Sequence, residues 1–234
     1  MSQFQKLTLV AIVSGTLAGL VWFALQYFTV LPLIAKAEAY EAAAHPHPDP
    51  EWSPKDGWQR NAYTALATVL TSIGFGAILF GAAGIAGRPM NARRGALWGL
   101  AAFTSFALAP ALGLPPEPPG VAVADLSSRQ LWWTCTVIAT LGGLALIASG
   151  PRSWLLRIGG IACLSLPHLI GAPTATGVNA VPIQLVRQFT IASLASTSVF
   201  WLVLGAIGGF STSYLACKAR ASTVIPTEFD EANV

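Results

Sequence analysis

No charged residue lies between Lys6 and Lys36, an apolar stretch near the start of the chain. A helix over residues 7–34 would be roughly 42 Å long, whereas the hydrocarbon core of a bilayer is roughly 30 Å thick. A cleavable signal peptide is the competing interpretation, because Ala35, Lys36 and Ala37 resemble a cleavage site. The apolar region of such a peptide, however, normally covers only about 7 to 15 residues. We therefore predict a retained first membrane helix.

The composition extends this prediction to the whole chain. Of its 234 residues, 54% are hydrophobic and 10% charged, whereas soluble domains are about 25% charged. The fold class predicted is all-α, a polytopic membrane helical bundle of about six transmembrane helices within residues 1–212, followed by a polar cytoplasmic tail over 213–234. The predicted spans lie near residues 7–34, 61–83, 95–112, 131–149, 154–170 and 189–209.

Charge and cysteine usage exclude several classes of protein. A net charge of +3 with no basic stripe argues against nucleic-acid binding. Cys135, Cys163 and Cys217 share no close spacing, so they are interpreted as packing residues rather than a disulfide or metal framework.

Six crossings would put both chain termini on the same side of the membrane. That side would hold seven basic residues against five on the other, so the positive-inside rule favours cytoplasmic termini in a bacterial inner membrane. The seven are Lys6, Arg88, Arg93, Arg94, Arg152, Lys218 and Arg220. All three histidines and every acid before the tail would gather on the outer side; these acids are Glu38, Glu41, Asp49, Glu51, Asp56, Glu117 and Asp125.

The stretch over 109–133, APALGLPPEPPGVAVADLSSRQLWW, concentrates polar groups in an otherwise apolar chain. Its prolines are predicted to end a helix and to leave Glu117 alone in a rigid turn. Asp125 is predicted to cap the next helix, with Arg129 one turn later as its ion-pair partner. Trp132 and Trp133 are expected at the membrane interface. A stiff connection with a surface salt bridge is the structural alternative.

Two further places carry metal-ligand chemistry. In the segment HPHPDPEW, alternation in an extended chain points His45, His47, Asp49 and Glu51 to one side, where they could share one ion. An ordinary solvated loop is the alternative. His168 lies toward the outer end of the fifth span, and an ionisable group at membrane depth indicates function unless a helix–helix hydrogen bond satisfies it. Imidazole and carboxylate suit divalent transition metals without selecting one.

Several strings carry a resemblance to a known family. KAEAYE is followed by a histidine-containing loop and DGWQRNAYTALATVLTSIGFG, and later come ALGLPPEPPG, RQLWW, PHLIGAP and VPIQLVRQFTIASLASTSVFWLVLGAIGG. With these strings the chain resembles, almost from end to end, the CbtA family of predicted cobalt transporter components.

The resemblance implies an integral membrane protein associated with cobalt uptake for cobalamin synthesis. It also implies a small single-span, histidine-bearing partner, CbtB. The family motifs carry over to Glu117, Asp125, Arg129, Gln130 and His168 of this sequence. A departure from the family is that the first outer loop holds only two histidines, which is few for a metal-collecting loop.

The function predicted first is a metal-ion permease component with Co²⁺ or another divalent metal as substrate and no covalently bound cofactor. His45, His47, Asp49 and Glu51 would concentrate the ion, which would pass to Glu117 and His168, with Asp125 nearby. The alternative is a non-transporting structural or accessory subunit of a larger membrane complex, with Arg129, Gln130, Trp132 and Trp133 as interface residues. An enzyme is not expected, because the HExxH and GxSxG patterns are absent and three histidines are too few for a di-iron site. The P-loop pattern is absent as well, so any energy from ATP would have to come from elsewhere.

Overall fold

A computed structural model describes residues 2–44, 54–87, 90–149, 153–177 and 179–223. Its secondary structure is helical, with no strand within these ranges. The helices are α1 (Gln3–Thr29), α2 (Leu31–Ala44), α3 (Trp58–Ile85), α4 (Ala92–Phe103), a π-helical turn (Thr104–Leu108), α5 (Ala109–Ala111), α6 (Leu126–Ser149), α7 (Trp154–Ile170) and α8 (Ile183–Thr223).

The first predicted span is divided at Val30 into α1 and α2. Pro32 explains the break, because its ring would clash with the carbonyl of Phe28 if one helix continued. Proline is tolerated within the first turn of α2, because backbone N–H groups in a first turn have no acceptor within the helix. α2 carries Glu38 and Glu41 beyond the apolar run.

Helices α1, α3, α4 and α8 pack together as the main bundle. Its core contains Phe80 from α3 and Phe200, Trp201 and Leu204 from α8, all almost fully buried. Trp22 of α1 stacks on Phe200 with ring centroids 4.4 Å apart. Bulky aromatic side chains therefore fill the centre of the bundle.

Small residues let the helix backbones approach closely around this core. Gly15 of α1 faces the backbone of Ile73 on α3, where an added Cβ would lie 2.6 Å from the Ile73 Cα. On the other side of the bundle, Gly95 of α4 faces Gly205 of α8 without intervening side chains. Close approach of this kind is how membrane helices gain packing energy without a hydrophobic driving force.

Helices α6 and α7 form a separate hairpin beside the main bundle. Gly143 of α6 and Gly160 of α7 are in close backbone contact, and the Trp132 indole N–H donates to the Pro167 carbonyl at 3.3 Å. Within the described ranges, α7 packs on α6 alone. α6 connects the hairpin to the main bundle through its contacts with α4, the π-helical turn and α5.

The π-helical turn has a local cause in Pro110. This residue has no N–H to donate to Phe106, and its ring would crowd that carbonyl in a regular α-helix. The chain widens by one residue, so that the Ala109 N–H donates to the carbonyl of Thr104. Such bulges occur frequently at functional sites.

The prediction of an all-helical membrane protein is confirmed, but a count of about six crossings is not. Among the described residues, four helices are long and apolar enough to cross a membrane: α1, α3, α6 and residues 183–218 of α8. α7 is apolar but has only 17 residues, and the predicted span over 95–112 is divided among α4, the π-helical turn and α5. α8 also runs to Thr223, past the predicted end of the last span at Gly209.

Candidate functional site

The connections at one end of the bundle are joined by hydrogen bonds, and we name this the loop end. The Ala180 N–H donates to the Gly120 carbonyl at 3.0 Å, and the Ala122 N–H donates to Asn179 Oδ1 at 3.0 Å. Gly120 has a φ of +79°, and an added Cβ would lie 3.1 Å from Glu41 of α2. The segments 112–125 and 179–182 and helix α2 therefore lie against one another at this end.

The loop end also holds an ion-pair cluster. Arg60, near the start of α3, forms a two-pronged pair with the Glu38 carboxylate of α2, and its Nη1 lies 3.3 Å from Asp56. These pairs fix the end of α2 against the start of α3. His45, His47, Asp49 and Glu51, predicted as ligands, lie outside the described residues, in the connection between these two helices.

A cleft of about 640 Å³ opens where segment 112–125 meets the helices, and we name it the proline cleft. Pro110, Pro115 and Pro116 form one wall, and α6 and α8 form the others. The Thr190 hydroxyl of α8 shares its proton between the Pro116 carbonyl at 2.9 Å and the Val186 carbonyl of its own helix at 3.0 Å, which joins the proline wall to α8. The polar side chains that line the cleft are Glu117, Arg129, Gln130, Thr134 and Thr197.

The sequence suggested that Glu117 lies alone in its turn. In the structure it faces Arg129 across the proline cleft. Arg129 Nη2 lies 3.7 Å from Glu117 Oε2, and their side chains are 30% and 23% exposed. This distance is longer than a hydrogen bond, so the pair is loose. The prediction that Arg129 pairs with Asp125 was wrong, because Asp125 uses its carboxylate as a helix cap.

Asp125 caps α6 as predicted. Its Oδ2 accepts from the Ser128 backbone N–H at 3.1 Å and from the Ser127 and Ser128 hydroxyls. The Ser127 hydroxyl, followed by the Ser128 amide, holds the pKa of the Asp125 carboxyl below its ordinary value of 3.8. A negative charge here also interacts favourably with the helix dipole.

The depressed pKa of Asp125 predicts a small pH effect on stability. Because the folded pKa lies below 3.8, the stabilising contribution is present above that pH and is lost as the pH falls through the folded value. Asp125→Asn keeps a capping oxygen but does not titrate in this range. We expect its thermal midpoint to lie slightly below that of the wild type at neutral pH and to converge with it below pH 3.8. If the two thermal midpoints differed by the same amount at every pH, the stabilising role of the Asp125 charge would be contradicted.

His168 lies in a second cavity of about 470 Å³, which we name the His168 groove. Thr104 and Leu108 of the π-helical turn and Thr140 of α6 form its other sides. The imidazole meets the Trp132 ring edge to face at a centroid distance of 6.0 Å. Glu117 and His168 thus line different cavities on the two sides of the π-helical turn.

The two tryptophans differ in their environment. Trp132 is 8% exposed, because its ring is enclosed between α6, α7 and Gly113 rather than lying on the surface as expected. Trp133 is on the surface and lines the proline cleft, with its ring 6.3 Å from that of Phe106. Gln130 lines the same cleft, one turn before Thr134.

Among the side chains that the structure describes, no three His, Cys, Asp or Glu group together as a metal site. The proline cleft offers one carboxylate, and the His168 groove offers one imidazole. Sequence reasoning missed the contribution of α8, which supplies Leu194 and Thr197 to the cleft. It also missed the π-helical turn, although Pro110 inside an apolar run is a signal for one.

The fold and its polar cleft define an integral membrane protein of the helical-bundle class. The chain belongs to the CbtA family, described as "probable cobalt transporter subunit", whose family model matches residues 4–213. A transporter subunit is not an enzyme. The chain has no significant match among curated proteins or among solved structures.

Proposed function

We propose that this chain is the membrane-embedded subunit of a cobalt uptake system in the bacterial inner membrane, with the proline cleft on the route of the metal. The family supplies cobalt as the transported metal. The observation that carries the cleft assignment is the half-buried Glu117 carboxylate within a cavity at the loop end. A carboxylate in a partly dehydrated position lowers the cost of removing water from a cation.

In the proposed topology the chain crosses the membrane six times. Besides the four long helices, α7 and the run from α4 to α5 also cross. α7 has 17 residues, or roughly 25 Å of helix, which fits a locally thinned bilayer. Six crossings put both termini on the cytoplasmic side with Arg93 and Arg94, and put the loop end outside.

Along the proposed route, the metal binds in turn to single ligands at successive positions. His45, His47, Asp49 and Glu51 would collect it outside, and Glu117 and His168 would each hold it briefly, with Asp125 as a further ligand. Transport requires binding that is strong enough for entry and weak enough for release. Single ligands in the two cavities are consistent with this requirement.

The alternative function is an accessory subunit that transports nothing itself. The observation favouring it is the lack of a three-ligand metal site among the described side chains. A small single-span, histidine-bearing subunit, or a larger membrane complex, would then carry the metal. Purification in mild detergent separates the two proposals: co-purification with such a complex, together with uptake that survives loss of this chain, favours the accessory role.

Removal of the two cavity ligands tests the proposed route. We expect Glu117→Gln to lower radiolabelled cobalt uptake by roughly two- to fivefold, because a partly exposed charge contributes about 1 kcal/mol or less. Adding His168→Asn should lower uptake further. The matched control is Asp56→Asn, whose side chain is 91% exposed at the loop end. Unchanged uptake in the double variant would remove both residues from the route.

A further inference from the structure

The proline cleft is large for a bare metal ion. Six waters of about 30 Å³ each would fill less than a third of its volume of about 640 Å³. Pockets for small organic ligands typically measure about 300–1,000 Å³. The volume therefore suits a metal that enters together with an organic ligand.

The charges in the cleft support the same conclusion. A bare divalent cation that approaches Glu117 must also approach the Arg129 guanidinium, which repels it. The guanidinium is held only by the loose contact of 3.7 Å and makes no hydrogen bond to the part of the chain that the structure describes. Its planar N–H groups are suited to a carboxylate, which they can bind in two-pronged fashion.

The described side chains that line the cleft also do not supply the ligands that a bare transition metal would need. Such ions take four to six donors, and the cleft supplies one acidic side chain. A chelator with several carboxylates would supply the others. The rigid prolines and the Trp133 ring would contact its carbon skeleton, as apolar walls do in organic-ligand sites.

We propose that the proline cleft receives cobalt as an anionic complex with a small carboxylate chelator, with Arg129 binding a carboxylate of the chelator and Glu117 facing the metal. This inference rests on the proposed uptake function and names its substrate class. Gln130 and Thr134, one turn apart on α6, supply hydrogen bonds to the remaining oxygens of the complex.

The experiment uses cells that carry the full chain with its native partners, and cells that lack the chain. Radiolabelled cobalt is buffered with citrate so that free Co²⁺ stays constant while the cobalt–citrate complex increases. We expect the chain-dependent uptake rate to rise with the complex. A rate that depends on free Co²⁺ alone overturns this inference and leaves the proposed function intact. Absence of chain-dependent uptake under both conditions overturns the proposed function as well.

Variants of Arg129 test the proposed binding of the chelator independently, through the apparent KM for cobalt–citrate. We expect Arg129→Gln to raise the apparent KM for cobalt–citrate by roughly tenfold, as for loss of a hydrogen-bonded charge. Arg129→Lys, which keeps the charge, should recover part of that loss. The control is Arg187→Gln, an exposed cation on α8 outside the cleft lining. If Arg129→Gln instead raises uptake of the free ion and leaves cobalt–citrate uptake unchanged, the inference is wrong.

Discussion

Gly95→Ala is expected to destabilise the folded protein by about 2 kcal/mol, the usual cost of overpacking a tight contact. Alanine normally stabilises the interior of a helix by nearly 1 kcal/mol relative to glycine. Helix propensity alone would therefore predict a gain in folding stability, whereas we expect a loss. The reason is the seam between α4 and α8, where an alanine Cβ would overlap the Gly205 carbonyl group. Because the added Cβ would meet backbone atoms rather than a side chain that could turn away, the two helices would have to move apart. The measurement is the thermal midpoint in mild detergent.

The chain contains matched controls for this substitution. Gly74 in α3 and Gly142 in α6 have no atom within 4 Å of an added Cβ. Gly74→Ala and Gly142→Ala should therefore leave the thermal midpoint unchanged or raise it slightly. If Gly95→Ala behaves like these two variants, the α4–α8 seam is looser than the structure indicates.

Helices could be predicted because each follows from local chemistry. Apolar runs long enough to cross a bilayer are found in the structure as helices α1, α3, α6 and α8. Asp125 was correctly predicted to cap α6, since a carboxylate three residues before the Ser128 amide is a local signal. Pro32 was a local signal that the prediction of one span over 7–34 did not use, and the structure divides that span into α1 and α2.

The partner of Arg129 could not be predicted in the same way. Helical spacing makes Asp125 and Arg129 neighbours on one face, and this is the only relation that the sequence exposes. The fold brings Glu117 to Arg129 because the turns over 112–125 double back against α6. The donors of Ser127 and Ser128 also compete with Arg129 for Asp125, because they already bond to its carboxylate.

The shape of the candidate site depends on contacts between distant parts of the chain. Thr190 bonds to Pro116 across 74 positions, and Leu194 closes the cleft from α8. The sequence predicted Glu117 and His168 as one site because both belong to the loop end. It could not show that the π-helical turn lies between their cavities.

Trp132→Ala is expected to cost about 3 to 5 kcal/mol of folding stability, which is typical for truncating a buried aromatic residue. The Trp132 ring packs on Gly113, meets the His168 imidazole and donates its N–H to the Pro167 carbonyl. It therefore joins α6, α7 and the segment after α5. Since α7 packs on α6 alone within the described ranges, loss of this ring should loosen α7 first. Thermal unfolding followed by circular dichroism measures the effect.

Two further variants serve as controls, one for the hydrogen bond of Trp132 and one for its burial. Trp132→Phe keeps most of the ring but loses the N–H, so it should cost only about 1 kcal/mol beyond the small loss of volume. Trp58→Ala makes the same truncation as Trp132→Ala at a residue that is 81% exposed, and it should change stability by less than about 0.5 kcal/mol. Equal losses from Trp132→Ala and Trp58→Ala would mean that Trp132 lies on the surface, as the sequence suggested, and that α7 is held by its glycine contacts with α6.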